Sequence, residues 1–319
     1  MEHLLASLRA AAEPTRLRLL ALAARGAFCV TEYVEILGQS QPRLSRHLKL
    51  LCDCGLLGRV REGANVWFAL PTGDAGALPR ELVARLPTDD PILEADRRQA
   101  ARVLAERARV ASESFRAKGA DWDEMRALDL PAQAVEKALL ALFPSGSEGR
   151  LLDIGTGTGR VLELLAPRVR QALGIDASKA MLALARSRLA GPEYAHCAVR
   201  QADMYRLPLP DAAYDTIVLQ MVLHHAEDPA GVIAEAARVL APTGRLLVID
   251  LAEHARVELT EKLAHRWPGF SDEALRRLCA NAGLLPSAPI MVEASLPIRI
   301  WPATRTADAA VHPAHELAV

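Results

Sequence analysis

The sequence predicts an α/β protein with two parts, an N-terminal winged helix–turn–helix domain and a C-terminal Rossmann-like, doubly wound domain. Three observations predict it. Short helical patterns and a β-hairpin pattern fill residues 1–71, a glycine turn follows a buried strand at 151–159, and strand and helix patterns alternate from there to about residue 301. Such alternation is the signature of a mostly parallel sheet.

Length and composition set the limits of the interpretation. A chain of 319 residues favours two domains, and 51% hydrophobic residues suffice for sizeable cores without any run long enough for a membrane span. The five cysteines are odd in number and scattered, which indicates reduced thiols, and no signal peptide is evident. We therefore expect a cytoplasmic protein without a membrane partner, divided into 1–85, a helical connector 86–127, 128–305 and a flexible tail 306–319.

Four short helical patterns come first. The apolar face of the first helix comprises Leu4, Leu5 and Leu8. Pro14 lies at the start of the second helix, where its missing N–H costs nothing. Thr31 is a candidate cap for the third helix, which ends at Gly38, and Ser40 for the fourth. The tight turn between the last two predicts a helix–turn–helix.

The fourth helix and the hairpin after it carry the charge of this region. Strand patterns at 56–60 and 65–70, joined by a turn at 61–64, predict a wing. From Gln39 to Arg61 five basic residues stand against Asp53, so this surface suits phosphates. The candidate DNA-contacting residues are Ser40, Gln41, Arg43, Ser45, Arg46, His47, Lys49, Arg59 and Arg61.

The run GQSQPRLSRHLKLL at 38–51, with GLL at 55–57, resembles the recognition helix of the ArsR-type winged-helix repressors. The resemblance covers about residues 1–85 and implies a symmetric homodimer on double-stranded promoter DNA; a winged helix used only for protein contacts is the alternative. That family often senses metals through cysteine pairs in the third helix, where this chain has only Cys29. Cys52 and Cys54 would point to different helix faces, so no metal site is predicted.

A connector follows the wing. Residues 71–90 are rich in proline and glycine, whereas 92–118 lack both and carry seven basic and four acidic residues. The second stretch predicts a long helix that joins the domains and contributes to the dimer; a second basic surface on DNA is the alternative. A shorter helix is predicted at 131–143.

The run RLLDIGTGTG at 150–159 predicts a buried strand, a glycine turn and the start of a helix. Asp176 ends a second apolar run, 23 positions after Asp153. The two strand ends would lie side by side at the crevice of a doubly wound sheet, where a carboxylate can accept both hydroxyls of a ribose. The spacing G-x-G-x-G differs from that of dinucleotide folds and better suits a ligand with an amino group and no phosphate.

These motifs resemble the class I S-adenosylmethionine-dependent methyltransferases over about residues 128–300. A generic glycine turn is the alternative, but it leaves Asp176 unexplained. The resemblance implies contacts of the glycine loop with the methionine part, of Asp176 with the ribose, and of Asp203 and Met204 with the adenine. The residues expected to bind S-adenosylmethionine or S-adenosylhomocysteine are Asp153, Gly155, Thr156, Gly157, Asp176, Ala177, Asp203, Met204 and Gln220.

The remaining elements follow in alternation. Helices are expected from Ser178, at 229–240 and from Ser271 to 282, and strands at 195–199, 215–223, 244–250 and 290–301. The pattern is closest to small-molecule methyltransferases of the quinone-biosynthesis type. The amino-methylating motif of DNA adenine enzymes, Asn or Asp before two prolines, is absent at this place, which disfavours DNA methylation by that route.

Two adjacent histidines follow the fourth strand of this domain. His224 and His225 are candidate general bases for an acceptor hydroxyl or thiol, against the alternative that one packs in the loop and the other lines the cofactor site. Residues 253–270 could form an acceptor lid or an interface with the connector. His254 and His265, within that segment, are not expected to bind a metal.

Two functions agree with this sequence. The first is a transcriptional regulator whose methyltransferase domain senses S-adenosylmethionine or S-adenosylhomocysteine and also acts on a small-molecule acceptor. The second is an active small-molecule methyltransferase in which the winged helix only localises the enzyme or regulates its own gene. A scaffold without ligand is disfavoured by the complete cofactor motif.

Overall fold

The computed structural model describes residues 1–62, 65–117, 132–143, 149–254, 265–293 and 296–305. The chain separates into two compact units. Unit 1 comprises Met1–Ala120, Thr156–Ala166 and Ser178–Gln201; unit 2 comprises Asp121–Gly155, Pro167–Ala177 and Ala202–Val319. Unit 1 therefore contains the winged helix together with two later pieces of the chain, the first of which starts within the glycine turn.

The winged helix occupies the first part of unit 1. Its helices are α1 (Glu2–Ala11), α2 (Pro14–Ala23), α3 (Val30–Leu37) and α4 (Gln41–Asp53). Its strands β1 (Phe28–Cys29), β2 (Gly58–Glu62) and β3 (Asn65–Ala69) form an antiparallel sheet in the order β1-β3-β2. The predicted inward stripe of α4 is confirmed, since Leu44, Leu48 and Leu51 are completely buried.

The local signals at the helix ends differ in outcome. Pro14 begins α2 as predicted, and Gly38 ends α3 with a left-handed φ of 63°. Thr31 is not the cap of α3, because that helix starts one residue earlier, with Cys29 at the cap position and the Glu32 carboxylate accepting a hydrogen bond from the Cys29 N–H at 2.8 Å. Ser40 occupies the cap position of α4 without a side-chain capping bond.

Helix α1 corrects one expectation. Its buried residues are Ser7, Ala10 and Ala11, whereas the leucines of its predicted apolar face are exposed by 41–49%: Leu4, Leu5 and Leu8. The hydroxyl of Ser7 donates to the carbonyl of His3 and lies 3.1 Å from that of Cys54. The apolar face of α1 therefore stays outside the core of this chain.

The connector begins with α5 (Ala77–Ala84) and continues as α6 (Pro91–Ala117), which confirms the predicted long helix to within one residue at each end. Helix α6 packs on the winged helix through Ala100, Val103 and Leu104, and Asp96 receives two hydrogen bonds from Arg18 at 2.6 and 2.7 Å. Within the described ranges, no helix combines the length and the apolar character needed to cross a membrane.

Three further elements complete unit 1: α8 (Arg160–Leu165), α9 (Lys179–Arg188) and β6 (Cys197–Gln201). Ser178 caps α9 as predicted, accepting a hydrogen bond from the Met181 N–H at 3.3 Å. Helix α9 lies against α6, where the Ser187 hydroxyl donates to the carbonyl of Leu104. Helix α8, which follows the glycine turn, and helix α9, which follows Asp176, thus belong to the same unit as the wing.

Unit 2 is built on a twisted sheet. Before it comes α7 (Ala132–Ala141), and its strands are β4 (Arg150–Ile154), β5 (Gln171–Asp176), β7 (Tyr214–Gln220), β8 (Leu240–Leu251), β9 (Leu284–Pro286), β10 (Ile290–Val292) and β11 (Ile298–Arg305). The order is β10-β11-β8-β7-β4-β5, with β9 also paired to β11. Strands β5, β4, β7 and β8 run parallel, as predicted, and β11 returns antiparallel to β8.

Helices α10 (Pro229–Val239) and α11 (Asp272–Asn281) cover the sheet of unit 2. Ser271 caps α11, as predicted, by accepting from the Ala274 N–H at 3.2 Å. The core beneath these helices is formed by fully buried aliphatic side chains such as Ile217, Val232 and Val248. This packing fixes the strands whose carboxyl ends carry the candidate site.

Candidate functional site

The carboxyl ends of three neighbouring strands in unit 2 bring four of the predicted cofactor residues to one edge of the sheet: Asp153, Gly155, Asp176 and Gln220. Ile154 of β4 pairs with Ile175 of β5 on one side and with Leu219 of β7 on the other. Asp176 and Gln220 follow those partners directly, so both end their strands at the same edge of the sheet as Asp153 and Gly155. Sequence spacing alone predicted this edge as the ligand crevice.

The glycine turn starts in unit 2 with a backbone that only glycine tolerates well. Gly155 has a φ of 74° and donates its N–H to the carbonyl of Ile175 at 2.8 Å. A Cβ at this position would come within 2.4 Å of a methyl group of Val222. Asp153, just before the turn, is 1% exposed. The loop is therefore held tightly between two strand ends, and Val222 is a residue of the site that sequence reasoning missed.

The turn continues in unit 1 with Thr156 and Gly157. Gly157 has a φ of 51°, and nothing within 4 Å would meet a Cβ built on it. Thr156 is 6% exposed, and its hydroxyl finds no hydrogen-bond partner in the part of the chain that the structure describes. An open backbone beside a buried hydroxyl is a suitable cradle for a polar ligand.

Ala177, Asp203 and Met204 lie near the second strand end. The Ala202 N–H donates to the carbonyl of Asp176 at 3.2 Å, which places the next residues beside β5 in unit 2. Asp203 is exposed and accepts from the Tyr205 N–H at 3.0 Å, while Met204 is half-buried against the core and Ala177 is exposed. All three thus border the edge where the ribose-binding carboxylate is expected.

A buried histidine–carboxylate pair follows β7 in unit 2. His224 and Asp250 are both fully buried, with 2.6 Å between Nδ1 and a carboxylate oxygen. The same carboxylate accepts from the N–H groups of Leu223 at 3.0 Å and Leu251 at 2.8 Å. An ionised carboxylate only accepts, so Nδ1 of His224 donates. His225, the second candidate base, is exposed.

The segment proposed as an acceptor lid is described only at its two ends, since 255–264 lie outside the described residues. At one end, the His254 N–H donates to the carbonyl of Pro268 at 3.0 Å. At the other, the Trp267 side chain donates to the carbonyl of Ala226 at 2.8 Å.

The predicted DNA-contacting residues lie on α4 and on β2 of unit 1. Seven of them are exposed: Ser40, Gln41, Arg43, Arg46, Lys49, Arg59 and Arg61. Ser45 and His47 are half-buried, and His47 Nδ1 lies 3.7 Å from a carboxylate oxygen of Glu13. The exposed set includes five cations along one helix and one wing strand, a pattern that suits a phosphate backbone.

A charge network inside unit 1 was not anticipated from the sequence. The Glu62 carboxylate, at the end of wing strand β2, accepts two hydrogen bonds of 2.6 Å from a guanidinium nitrogen of Arg186 on α9. The Gln201 N–H adds a third at 3.0 Å, and the guanidinium lies 4.1 Å from the ring centroid of Trp67 on β3. Both charged side chains are about 5% exposed. Burial lowers the pKa of Arg186, and Glu62 opposes that shift.

The network extends to the connector. Arg107 of α6 lies 4.9 Å from the ring centroid of Trp67 and donates to Glu32 of α3 at 2.7 and 2.9 Å. Trp67 is therefore in contact with two guanidinium groups. Wing, connector and α9 share one set of charged and aromatic contacts.

Burial disfavours the thiolate form of three of the five cysteines. All five are free thiols, and they are buried or half-buried. Burial raises the pKa of Cys52, that of Cys197 to about 12 and that of Cys279 to about 11. Protonated thiols are poor nucleophiles and poor metal ligands.

Fold and site define two classes of module in one chain. The helix–turn–helix with its wing is that of bacterial regulatory proteins. The parallel sheet, with a glycine turn after its first strand and an acidic residue at the end of the second, is that of the class I methyltransferases. Comparison with known families agrees: residues 13–58 match the arsR family of bacterial regulatory proteins, and residues 152–248 match a methyltransferase domain. The chain carries an ArsR-family helix–turn–helix domain and a class I, S-adenosylmethionine-dependent methyltransferase domain.

Relatives agree with the second domain. Trans-aconitate 2-methyltransferase of Methylobacterium nodulans is 36% identical over 170 residues, 51% of this chain and 62% of that protein. The ubiquinone/menaquinone biosynthesis C-methyltransferase UbiE of Geobacter sulfurreducens is 32% identical over 108 residues, 33% of this chain and 42% of that protein. The chain spans about half the length of the curated relatives it matches.

The fold has solved counterparts. One chain of the complex between the Haloferax volcanii Trm112 methyltransferase activator and a methyltransferase aligns with a TM-score of 0.50 at 20% identity, covering 63% of this chain and 98% of that one. At this level of identity the likeness shows the fold alone.

Proposed function

We propose that this protein is a transcriptional regulator that binds promoter DNA through its winged helix and senses S-adenosylmethionine or S-adenosylhomocysteine through its methyltransferase domain. In this proposal the exposed cations of α4 and β2 contact phosphates, and the ligand state of the second domain shifts the population of DNA-competent protein.

The ligand pocket is assigned to the residues that the sequence predicted. Asp153 and the glycine turn hold the methionine part, Asp176 the ribose hydroxyls, and Asp203 with Met204 the adenine. The convergence of strands β5, β4 and β7 at one edge supports this assignment, as does the buried Thr156 hydroxyl beside the open backbone of Gly157. Ala177 and Gln220 complete the set at the strand ends.

The observation that carries the regulatory part is the buried ion pair between Glu62 and Arg186. Helix α9 begins three residues after Asp176, so a ligand that orders the loop 176–178 acts directly on the start of that helix. The other end of α9 holds Glu62, whose neighbour Arg61 is exposed on the wing. A shift of α9 therefore changes the position of β2, a strand proposed to contact DNA. Linkage requires such a difference in contacts between the two ligand states.

We further propose a homodimer, with α1 at its interface. The exposed leucines of α1 form an apolar face that the core of this chain leaves uncovered. Covering such a face stabilises an assembly by the usual free energy of apolar burial. We expect Leu5→Glu to shift the protein from dimer to monomer in light scattering and to weaken DNA binding, whereas Leu285→Glu, at an exposed leucine outside this face, leaves the mass unchanged. A variant Leu5→Glu that remains dimeric would place the interface elsewhere.

Calorimetry tests the central proposal. S-adenosylmethionine and S-adenosylhomocysteine are titrated into the full chain, alone and in the presence of duplex DNA from its own promoter. An affinity that changes with DNA supports a ligand-responsive regulator and gives the direction of control by linkage. Binding that is indifferent to DNA refutes sensing, and no binding refutes the pocket.

A second candidate function is an active small-molecule methyltransferase in which the winged helix only localises the enzyme or regulates its own gene. The exposure of His225 next to the site favours it, because an exposed imidazole can serve as the base for an acceptor. Methyl transfer needs little from the protein beyond alignment of the acceptor with the methyl group. Ligand binding that ignores DNA, together with methylation of a small acceptor, would favour this second function.

A further inference from the structure

We propose that His224, His225 and His265 form a binding site for a divalent zinc ion. The three histidines come from two segments that are distant in sequence, and one nitrogen of each lies within 4.8 Å of the others. Their ring centroids are 4.1, 4.4 and 5.2 Å apart. This site is independent of the ligand sensing proposed above and lies entirely in unit 2.

The backbone builds the cluster. A 3-10 turn at Leu223–His225 presents two successive imidazoles directly after β7. The carbonyl of His224 accepts hydrogen bonds from the N–H groups of Arg266 at 2.9 Å and Trp267 at 3.1 Å. These two bonds fasten the segment that carries His265 to the turn, so the third imidazole is held beside the other two.

Asp250 fixes the orientation of the first ligand. Its buried carboxylate binds Nδ1 of His224 at 2.6 Å and is itself held by two backbone N–H groups. Because Nδ1 donates to Asp250, Nε2 is the nitrogen of His224 that a metal ion would take. A carboxylate behind a histidine in this way is the arrangement that raises the basicity of a metal-bound imidazole and fixes its tautomer.

The dimensions suit zinc. Zinc–nitrogen bonds of about 2.0–2.1 Å in a tetrahedron place ligand nitrogens roughly 3.4 Å apart, so the three rings reach a common ion through small side-chain rotations. Three neutral imidazoles form a donor set that zinc prefers over calcium or magnesium, which take oxygen.

The burial pattern gives the type of site. His224 is fully buried and His265 is 6% exposed, whereas His225 is exposed. Three protein ligands with one side open to solvent resemble a catalytic rather than a closed structural zinc site, so the fourth position accepts water or an oxygen or sulfur atom of a small ligand.

Metal binding to the full chain tests the proposal. Protein without an affinity tag is stripped with a chelator, and zinc is titrated in competition with a chromophoric chelator. We expect one tight equivalent in the wild type, an affinity at least 100-fold lower in His225→Gln and His265→Gln, and a 10- to 100-fold loss in Asp250→Asn. His196→Gln is the matched control, because His196 bonds to the carbonyl of Ala166 in unit 1. The exposed His225 keeps the test valid if the Asp250 variant fails to fold.

Cobalt distinguishes this site from the thiols. We expect the Co²⁺-loaded protein to show the absorption of a nitrogen-ligated ion without a thiolate charge-transfer band, and a Cys52→Ser/Cys54→Ser variant to bind as the wild type does. Equal zinc affinity in the wild type and His225→Gln would overturn the proposal. So would a thiolate band that disappears in the double cysteine variant.

Discussion

The ion pair between Glu62 and Arg186 allows the regulatory proposal to be tested by a double-mutant cycle. Replacing Arg186 with Met removes three contacts at once: two hydrogen bonds of 2.6 Å to Glu62 and the stacking on Trp67. The Arg186→Met variant leaves the Glu62 carboxylate, about 4% exposed, with the Gln201 N–H as a remaining hydrogen-bond donor. Removing one partner of a buried pair costs about 3–5 kcal/mol, whereas exposed pairs are worth about 0–1 kcal/mol.

The double variant Glu62→Leu/Arg186→Met removes both charges and leaves neither unpaired. We expect its free energy of unfolding to lie within about 1 kcal/mol of the wild type or above it, since apolar replacement of buried pairs is often neutral or stabilising. Urea denaturation followed by far-ultraviolet circular dichroism measures the free energy of unfolding at each corner of the cycle. Replacement of the exposed pair Glu94 and Arg98 on α6 is the control and should show little coupling.

The double variant separates folding from communication. In the wild type we expect promoter DNA to change the affinity for S-adenosylhomocysteine by about 5- to 150-fold, the usual range of a coupling free energy. In Glu62→Leu/Arg186→Met, the affinities for S-adenosylhomocysteine with and without promoter DNA should agree to within about twofold. The variant should still bind S-adenosylhomocysteine and DNA separately. A folded double variant that keeps the wild-type ratio would refute the transmission through α9. If single variants at Glu62 or Arg186 lower the free energy of unfolding by less than about 1 kcal/mol, the pair is no stronger than an exposed one and the expectation is wrong.

Three further outcomes follow from the site and the fold. Arg43→Ala should weaken DNA binding at all sequences and lower the slope of log K against log salt by about one, because one phosphate contact is lost. Gly155→Ala should cost at least about 1–2 kcal/mol of stability, because its φ is 74° and the new Cβ would also come within 2.4 Å of Val222, and it should weaken S-adenosylhomocysteine binding in calorimetry. A hydrogen bond from Arg238 lowers the pKa of Glu235 below 4.5, so its stabilisation is present above that pH and is lost as the pH falls through the lowered value. Glu235→Gln should therefore reduce the fall of the urea midpoint as the pH drops below the usual range of a glutamate pKa.

Matched variants set the scale for these outcomes. Arg98→Ala removes an exposed cation of α6 and should leave the salt slope unchanged. Gly58→Ala adds a Cβ that meets nothing closer than 3.7 Å, so ligand binding should persist. Glu273→Gln, in an exposed pair of α11, should not alter the acid midpoint. Equal effects in a variant and its control would contradict the reason given for that variant.

Local chemistry made much of the fold predictable. Pro14, Gly38, Ser178 and Ser271 each act within one turn of their own helix, so sequence neighbours suffice to place them. The strand ends of the cofactor edge followed from the spacing of Asp153 and Asp176. Strand β1 was missed because two residues carry no period, and its pairing partner Phe68 lies forty positions further on.

The unpredicted features depend on distant partners. Glu62 was assigned to the wing turn, yet it ends β2 and binds Arg186, 124 positions away. The cluster of His265 with two other histidines was not anticipated, because those histidines lie 40 and 41 positions earlier, on another segment. The leucines of α1 show a limit of periodicity, which reports an apolar face but does not tell whether that face is buried in the core.

The free energy of the contact between Arg186 and Glu62 also limits how strongly ligand binding can change DNA affinity. Loss of one of the two charge-assisted hydrogen bonds between Arg186 and Glu62 would change the free energy by about 1.5–3 kcal/mol, equivalent to roughly 10- to 150-fold in affinity. A change of that size falls within the usual range of a regulatory coupling free energy. Because coupling free energies are reciprocal, DNA must alter ligand affinity by the same factor by which ligand alters DNA affinity. An enzyme that the winged helix merely localises would show a factor near one, whatever its catalytic rate.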